Sequence, residues 1–226
     1  NITLGNLVPL VDVSGSMNGE PMQVAIALGL LISELTNKHF QNRVITFESI
    51  PRWHILNKDD SIVKRVRSLM KAPWGGSTNI MKALNLIYNV VEESKLSMEQ
   101  VPDMIVFTDM QFDEADQNSS FKTHYELIKD EFKKLGEKIS GKPYDPPRII
   151  YWNLRGNSYS GIHAPVKCDT EGVQLLSGFS PSLMKSLLNG DELVEEEVKD
   201  EEVVKVKKKV SPWDTYRKIM DNDVFV

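Results

Sequence analysis

The sequence predicts an α/β fold: a doubly wound, mostly parallel sheet with helices on both faces. Two observations carry that expectation. Short apolar stretches alternate with longer amphipathic ones from residue 7 to residue 188, the rhythm of strand, helix, strand. Several of the short stretches, "LVPLV" and "MIVF" among them, are apolar at every position. Strands covered by helices on both sides read that way, whereas a half-exposed strand would alternate.

The elements follow in order. Residues 7–11 form the first strand, with Pro9 as an oddity that a bulge would accommodate. Pro21 then sits where a helix starts, and "MQVAIALGLLISEL" is apolar nearly all round, as a helix buried on a sheet should be. "RVITF" (43–47) and "RWHIL" (52–56) are short strands joined through Pro51, and residues 59–71 are helical, opened by Asp59 and Asp60. Ile80, Leu84, Ile87 and Val91 mark the next helix by their spacing. "MIVFTD" (104–109) is a buried strand ending on an acid, and Phe121, Tyr125, Ile128, Phe132, Leu135 and Ile139 mark a long amphipathic helix. "RIIYW" (148–152) and "GVQLL" (172–176) complete the strands, and "SPSLMKSLL" (180–188) opens a helix with Ser180 as cap and Pro181 in its first turn.

Residues 1–189 are thus expected to form one domain. The stretch 190–210 carries acids first and lysines last, separated by valine and leucine. That composition predicts a flexible insertion, or else a helix whose charges complement its dipole. Residues 211–226 are expected to form a helix whose Trp213, Tyr216 and Ile219 pack back on the domain.

Composition excludes several classes of function. The chain has 226 residues, 41% hydrophobic and 26% charged, with a net charge of -5. No apolar stretch approaches the roughly 20 residues that cross a bilayer, so no membrane helix is expected. An acidic balance with no concentrated basic field does not imply non-specific nucleic-acid binding. Cys168 is the single cysteine and cannot form an internal disulfide, which favours a reducing compartment; the expected location is intracellular, in the cytoplasm. None of the four histidines pairs with it at zinc-finger spacing. The chain begins at Asn1 rather than methionine and reads as an excised domain.

The chemistry gathers at the predicted carboxyl ends of the strands, where open α/β sheets bind ligands. Asp12, Ser14 and Ser16 follow the first strand, with Gly15 permitting a sharp bend between them. Thr78 lies in "GGSTN", immediately before a helix, and Asp109 ends "MIVFTD". Each has a plainer reading alone: a turn, a helix cap, a loop cap. Together they offer two carboxylates and three hydroxyls with neither sulfur nor imidazole, a hard-oxygen set suited to Mg²⁺ or Mn²⁺, and to Ca²⁺ as well.

Those stretches resemble the von Willebrand factor type A (vWA) domain. "DVSGSM" is similar to its D-x-S-x-S signature, and "GGSTN" and "FTDMQFDEA" fall where that family keeps the other two loops of its metal-ion-dependent adhesion site (MIDAS). The resemblance implies a Rossmann-like doubly wound sheet. It also implies that Ser14, Ser16 and Thr78 are hydroxyl ligands and that Asp12 and Asp109 act directly or through water. "WGGSTN", "PPRIIYWNLRG", "LLSGFSPSLMKSLL" and "SPWDTYRKIM" look like an uncharacterised intracellular vWA family of cellular and viral genomes, related to the C-terminal domain of the Ro RNA-binding autoantigen. In Ro-like proteins, as that resemblance implies, helical repeats outside this domain carry RNA, so RNA as a partner is not supported by this chain alone. The sequence departs from the pattern at Asn79, where an acid is common, and in "TDMQ", where many members have a glycine directly after the aspartate; Asn79 and Gln111 are both neutral near the site.

The expected function is therefore a non-enzymatic protein-interaction module whose metal accepts a carboxylate from a protein partner. A metal-dependent phosphohydrolase with Asp12 as nucleophile is the alternative, but it usually needs a second acid where Ser14 stands. A nuclease would use Asp12, Asp109, Asp113 and Asp116 as a carboxylate cluster and would leave the hydroxyls without a role. "GNSYSG" and "WGGST" lack the P-loop lysine and dinucleotide spacing. Trp53 and Trp74 read as packing residues, with the rim of the metal face as a second reading for Trp74; His163 reads as a surface residue.

Overall fold

The computed structural model describes residues 6–72, 79–109, 119–154, 172–177, 194–199 and 202–207. The chain divides into two compact units, Asn1–Gly178 and Phe179–Val226.

The first unit is the doubly wound sheet that the sequence predicts. Its strands are β1 (Leu7–Val11), β2 (Arg43–Thr46), β3 (Trp53–Ile55), β4 (Asp103–Thr108), β5 (Ile149–Asn153) and β6 (Val173–Ser177), in the spatial order β3-β2-β1-β4-β5-β6. All neighbours are parallel except β2 and β3, which pair antiparallel. The chain winds from β1 toward one edge and then returns to β4 on β1's other side, so the topological switch point lies between β1 and β4. Among the described residues, four α-helices flank the sheet: α1 (Glu20–Leu35), α2 (Ile62–Met70), α3 (Ile80–Ser94) and α4 (Ser119–Ser140).

Strand alternation sorts the core onto the two faces. Val8, Leu10, Ile45, Met104, Val106, Ile149 and Tyr151 point to the side where α3 and α4 bury Leu84, Ile87, Val91, Ile128, Phe132 and Leu135. The opposite side carries Val11, Phe107 and Trp152, the last two with ring centroids 5.7 Å apart. Helix α1 covers that side, and α2 packs on α1. Gly29 explains how closely α1 approaches: a Cβ there would stand 2.4 Å from Val11 Cγ2.

Pro9 needs no bulge. The Asp12 N–H donates to Phe107 O of β4, so by alternation the missing N–H of Pro9 faces β2. Pairing to β2 begins only at Leu10, opposite Ile45, whereas the ladder to β4 runs unbroken from Leu7 to Val11. Proline sits where the ladder asks for no donor. Helix α2 also starts later than expected. Ser61, not the preceding aspartates, is its N-cap, accepting from the Lys64 N–H.

In the second unit, the stretch expected as a flexible insertion or a helix contains two antiparallel strands, β7 (Val194–Lys199) and β8 (Glu202–Lys207). The register sets Glu196 opposite Lys205, Lys199 opposite Glu202 and Val198 opposite Val203. Valines favour extended backbone, and opposite charges suit facing positions, so the pattern that weakens a helix suits a hairpin. The helices expected at 180–188 and 211–226 lie outside the described residues. Among the described residues, no helix is long and apolar enough to cross a membrane.

Candidate functional site

The carboxyl end of β1 turns into a short 3-10 helix, Gly15–Met17, closed by the Met17 N–H donating to Ser14 O. The side chains of this segment divide by solvent access. Asp12 and Met17 are buried, and Ser14 and Ser16 are half-buried. The two serine hydroxyls share a hydrogen bond at 2.9 Å. A 3-10 turn, rather than a sharp bend at Gly15, brings the two serine side chains together. The conformation that only glycine adopts readily occurs at Gly19, with φ of 97°, where the chain redirects into α1.

Asp12 is 1% exposed. Its Oδ1 accepts the Ser14 N–H at 2.8 Å, and its Oδ2 accepts the Thr108 hydroxyl at 2.9 Å. Asp109, 2% exposed, follows β4 directly. The carboxyl of Asp12 is pushed above its ordinary value by burial, an effect offset by its bonds to Ser14 and Thr108 and reinforced by the charge of Asp109. Two buried carboxylates thus stand at adjoining strand ends on either side of the switch point, near enough for the charge of Asp109 to act on Asp12. A divalent cation would offset their repulsion, and half-buried hydroxyls beside them are the donors a hard cation accepts.

Four of the five predicted site residues, Asp12, Ser14, Ser16 and Asp109, thus stand at the adjoining carboxyl ends of β1 and β4. Thr78 lies outside the described residues, as do Trp74, Gln111, Asp113, Asp116, His163 and Cys168. Asn79, next to Thr78, is the N-cap of α3, its Oδ1 accepting the Lys82 N–H at 3.0 Å. An amide serves that cap as an acid would. Among the described residues, no group of three or more histidine, cysteine, aspartate or glutamate side chains could hold a metal ion. A cation here would depend on the hydroxyls.

Sequence reasoning missed two contributors and a neighbouring polar cluster. Thr108 ties Asp12 to β4. Met17, fully buried, anchors the turn that carries Ser14 and Ser16. At the same sheet edge, where β2 ends, the Thr46 hydroxyl donates to Glu48 and accepts the Arg52 N–H, while Arg52 pairs with Glu48 at 3.3 Å. Thr108 and Met17 flank recognised motif residues, so a signal existed: Thr108 directly precedes the motif acid Asp109, and Met17 is the one large apolar residue of its turn.

The profile of a family described as a domain of unknown function (DUF7788) matches residues 6–221. The chain belongs to that family. One relative is an uncharacterised protein of Acanthamoeba polyphaga mimivirus, 38% identical over 191 residues. The match takes in 84% of this chain and 32% of the viral protein, so the chain spans about a third of the length of that curated relative. Among solved structures, the Deinococcus radiodurans RO (RSR) protein is similar at a TM-score of 0.47 and 16% identity, over 84% of this chain and 35% of that one. Proximal thread matrix protein 1 from the mussel byssus gives a TM-score of 0.42 and 16% identity, over 84% of this chain and 48% of that one.

Proposed function

We propose that this DUF7788 domain is a vWA-type interaction module that holds a divalent cation, Mg²⁺ or Mn²⁺, at a MIDAS-like edge and binds a protein partner through it. One observation carries the reading: Asp12, buried at the end of β1, accepts the Ser14 N–H beside a hydrogen-bonded pair of serine hydroxyls, and the buried Asp109 follows the adjoining end of β4. Ser14 and Ser16 would hold the ion through neutral oxygens, Thr78 would add a third hydroxyl, and Asp12 and Asp109 would balance its charge. Bound mainly by neutral donors, such an ion keeps much of its positive charge and supplies an acceptor for a carboxylate of the partner. The role is binding without turnover, in an intracellular setting that suits the lone Cys168.

The test is calorimetric titration of Mn²⁺ into the domain and into the Ser14→Ala/Ser16→Ala double variant, with circular dichroism to verify folding. One ion per chain is expected, with affinity at least about tenfold lower in the variant, the size of effect that follows loss of one or two favourable ligand bonds. Equal affinity in a folded variant would remove the site from this edge.

A further inference from the structure

We propose that Thr108 is a positioning residue for this site, holding the Asp12 carboxylate in the orientation the ion needs and locking the two strand ends together. The inference rests on the metal reading above, but it concerns a side chain outside the proposed set of ligands.

The geometry has three parts. First, Thr108 is the last residue of β4 and is fully buried. Register fixes its place: Val11 stands opposite Phe107, and the Asp12 N–H donates to Phe107 O at 2.9 Å. Thr108 is therefore the β4 residue beside Asp12, and both belong to the face of Leu10 and Val106. Second, a β-branched residue in a strand has few χ1 options, so its hydroxyl is held in place rather than free to swing. Third, that hydroxyl donates to Asp12 Oδ2 at 2.9 Å while the Ser14 N–H holds Oδ1 at 2.8 Å. Held at both oxygens, the carboxylate cannot rotate about its terminal bond. The backbone of Thr108 continues directly into Asp109, so one side chain sets Asp12 and joins it to the strand that delivers the second acid.

A hydrogen bond from a neutral hydroxyl to a carboxylate is charge-assisted, and burial strengthens it. Groups that orient metal-binding side chains in this way typically govern metal affinity by about 10- to 100-fold. The role also gives the residue type a reason. Valine would have the same shape and a better strand propensity, but it has no donor.

The experiment compares Mn²⁺ affinity in the unsubstituted chain with that in Thr108→Val, Thr108→Ala and Thr108→Ser, following loss of the free-ion electron paramagnetic resonance signal. Urea unfolding in EDTA is measured for each. Valine and alanine should weaken Mn²⁺ binding by about 10- to 100-fold, and serine should hold it within about threefold of the starting value. Using two apolar variants keeps the role readable if one of them folds poorly. A purely structural threonine would give a different pattern: lower resistance to urea, with Mn²⁺ affinity unchanged in every folded variant. Affinity within about twofold in folded Thr108→Val or Thr108→Ala would overturn the positioning role while leaving the ion site standing. Failure of the unsubstituted chain to bind Mn²⁺ would overturn the metal reading, and the positioning role with it.

Discussion

Asp12 carries the sharpest conflict at the scale of single residues. Burial and the neighbouring Asp109 raise its pKa, so above that pKa the ionised carboxylate costs the folded state free energy. The cost accompanies a site, not a well-packed core. Asp12→Asn, which keeps the shape and an acceptor for the Ser14 N–H, should therefore raise the urea midpoint of the ion-free domain at neutral pH while abolishing Mn²⁺ binding. A lower midpoint in EDTA would contradict the assignment. His54 allows a pH test away from the site. Burial lowers its pKa below 6.5, and its Nε2 lies 3.1 Å from Ser68 Oγ. The unfolded chain then takes up the proton more readily, so stability is lost as pH falls through 6.5 toward the lowered value. His54→Gln should flatten that decline in urea midpoints measured between pH 7.5 and pH 5. An unchanged slope would assign the acid sensitivity to other groups. Much of the site was legible at this scale, because the donor types at alternating positions announce a hard-cation edge. The role of Thr108 was not: its place beside Asp109 was visible, but its partner stands on another strand, and only the β1–β4 register brings them together.

At the scale of elements, the close approach of α1 to β1 is the feature to perturb. Gly29→Ala gains about 1 kcal/mol of helix propensity. Against that gain stands a Cβ 2.4 Å from Val11 Cγ2. Relieving such an overlap typically costs about 1–3 kcal/mol, so the variant should be destabilised on balance. Val11 immediately precedes Asp12, so the shift should also weaken Mn²⁺ binding. A stabilised variant with unchanged affinity would mean that α1 simply moves away. The buried strands and long helices were legible because uninterrupted apolar runs and three-four spacing are strong signals. Element ends were less so: Ser61 caps α2 although Asp59 and Asp60 are equally good cap types. The hairpin β7–β8 was hidden by its charge, since a composition read as solvated also holds the valines and facing opposite charges of paired strands.

At the scale of the whole molecule, topology makes the site. Asp12 and Asp109 are far apart in sequence, yet β1 and β4 are neighbours because the winding reverses between them. The parallel arrangement sends both carboxyl ends to one edge, and side chains from separate loops gather there. That much could be expected from the order of strands and helices alone. The measurement that tests the central claim most directly is anomalous scattering from crystals of the domain soaked in Mn²⁺, with this edge clear of lattice neighbours. The account predicts a peak bounded by Ser14, Ser16, Asp12 and Asp109. An edge without a peak at millimolar Mn²⁺ would contradict it and leave the two buried acids to be explained by another ligand.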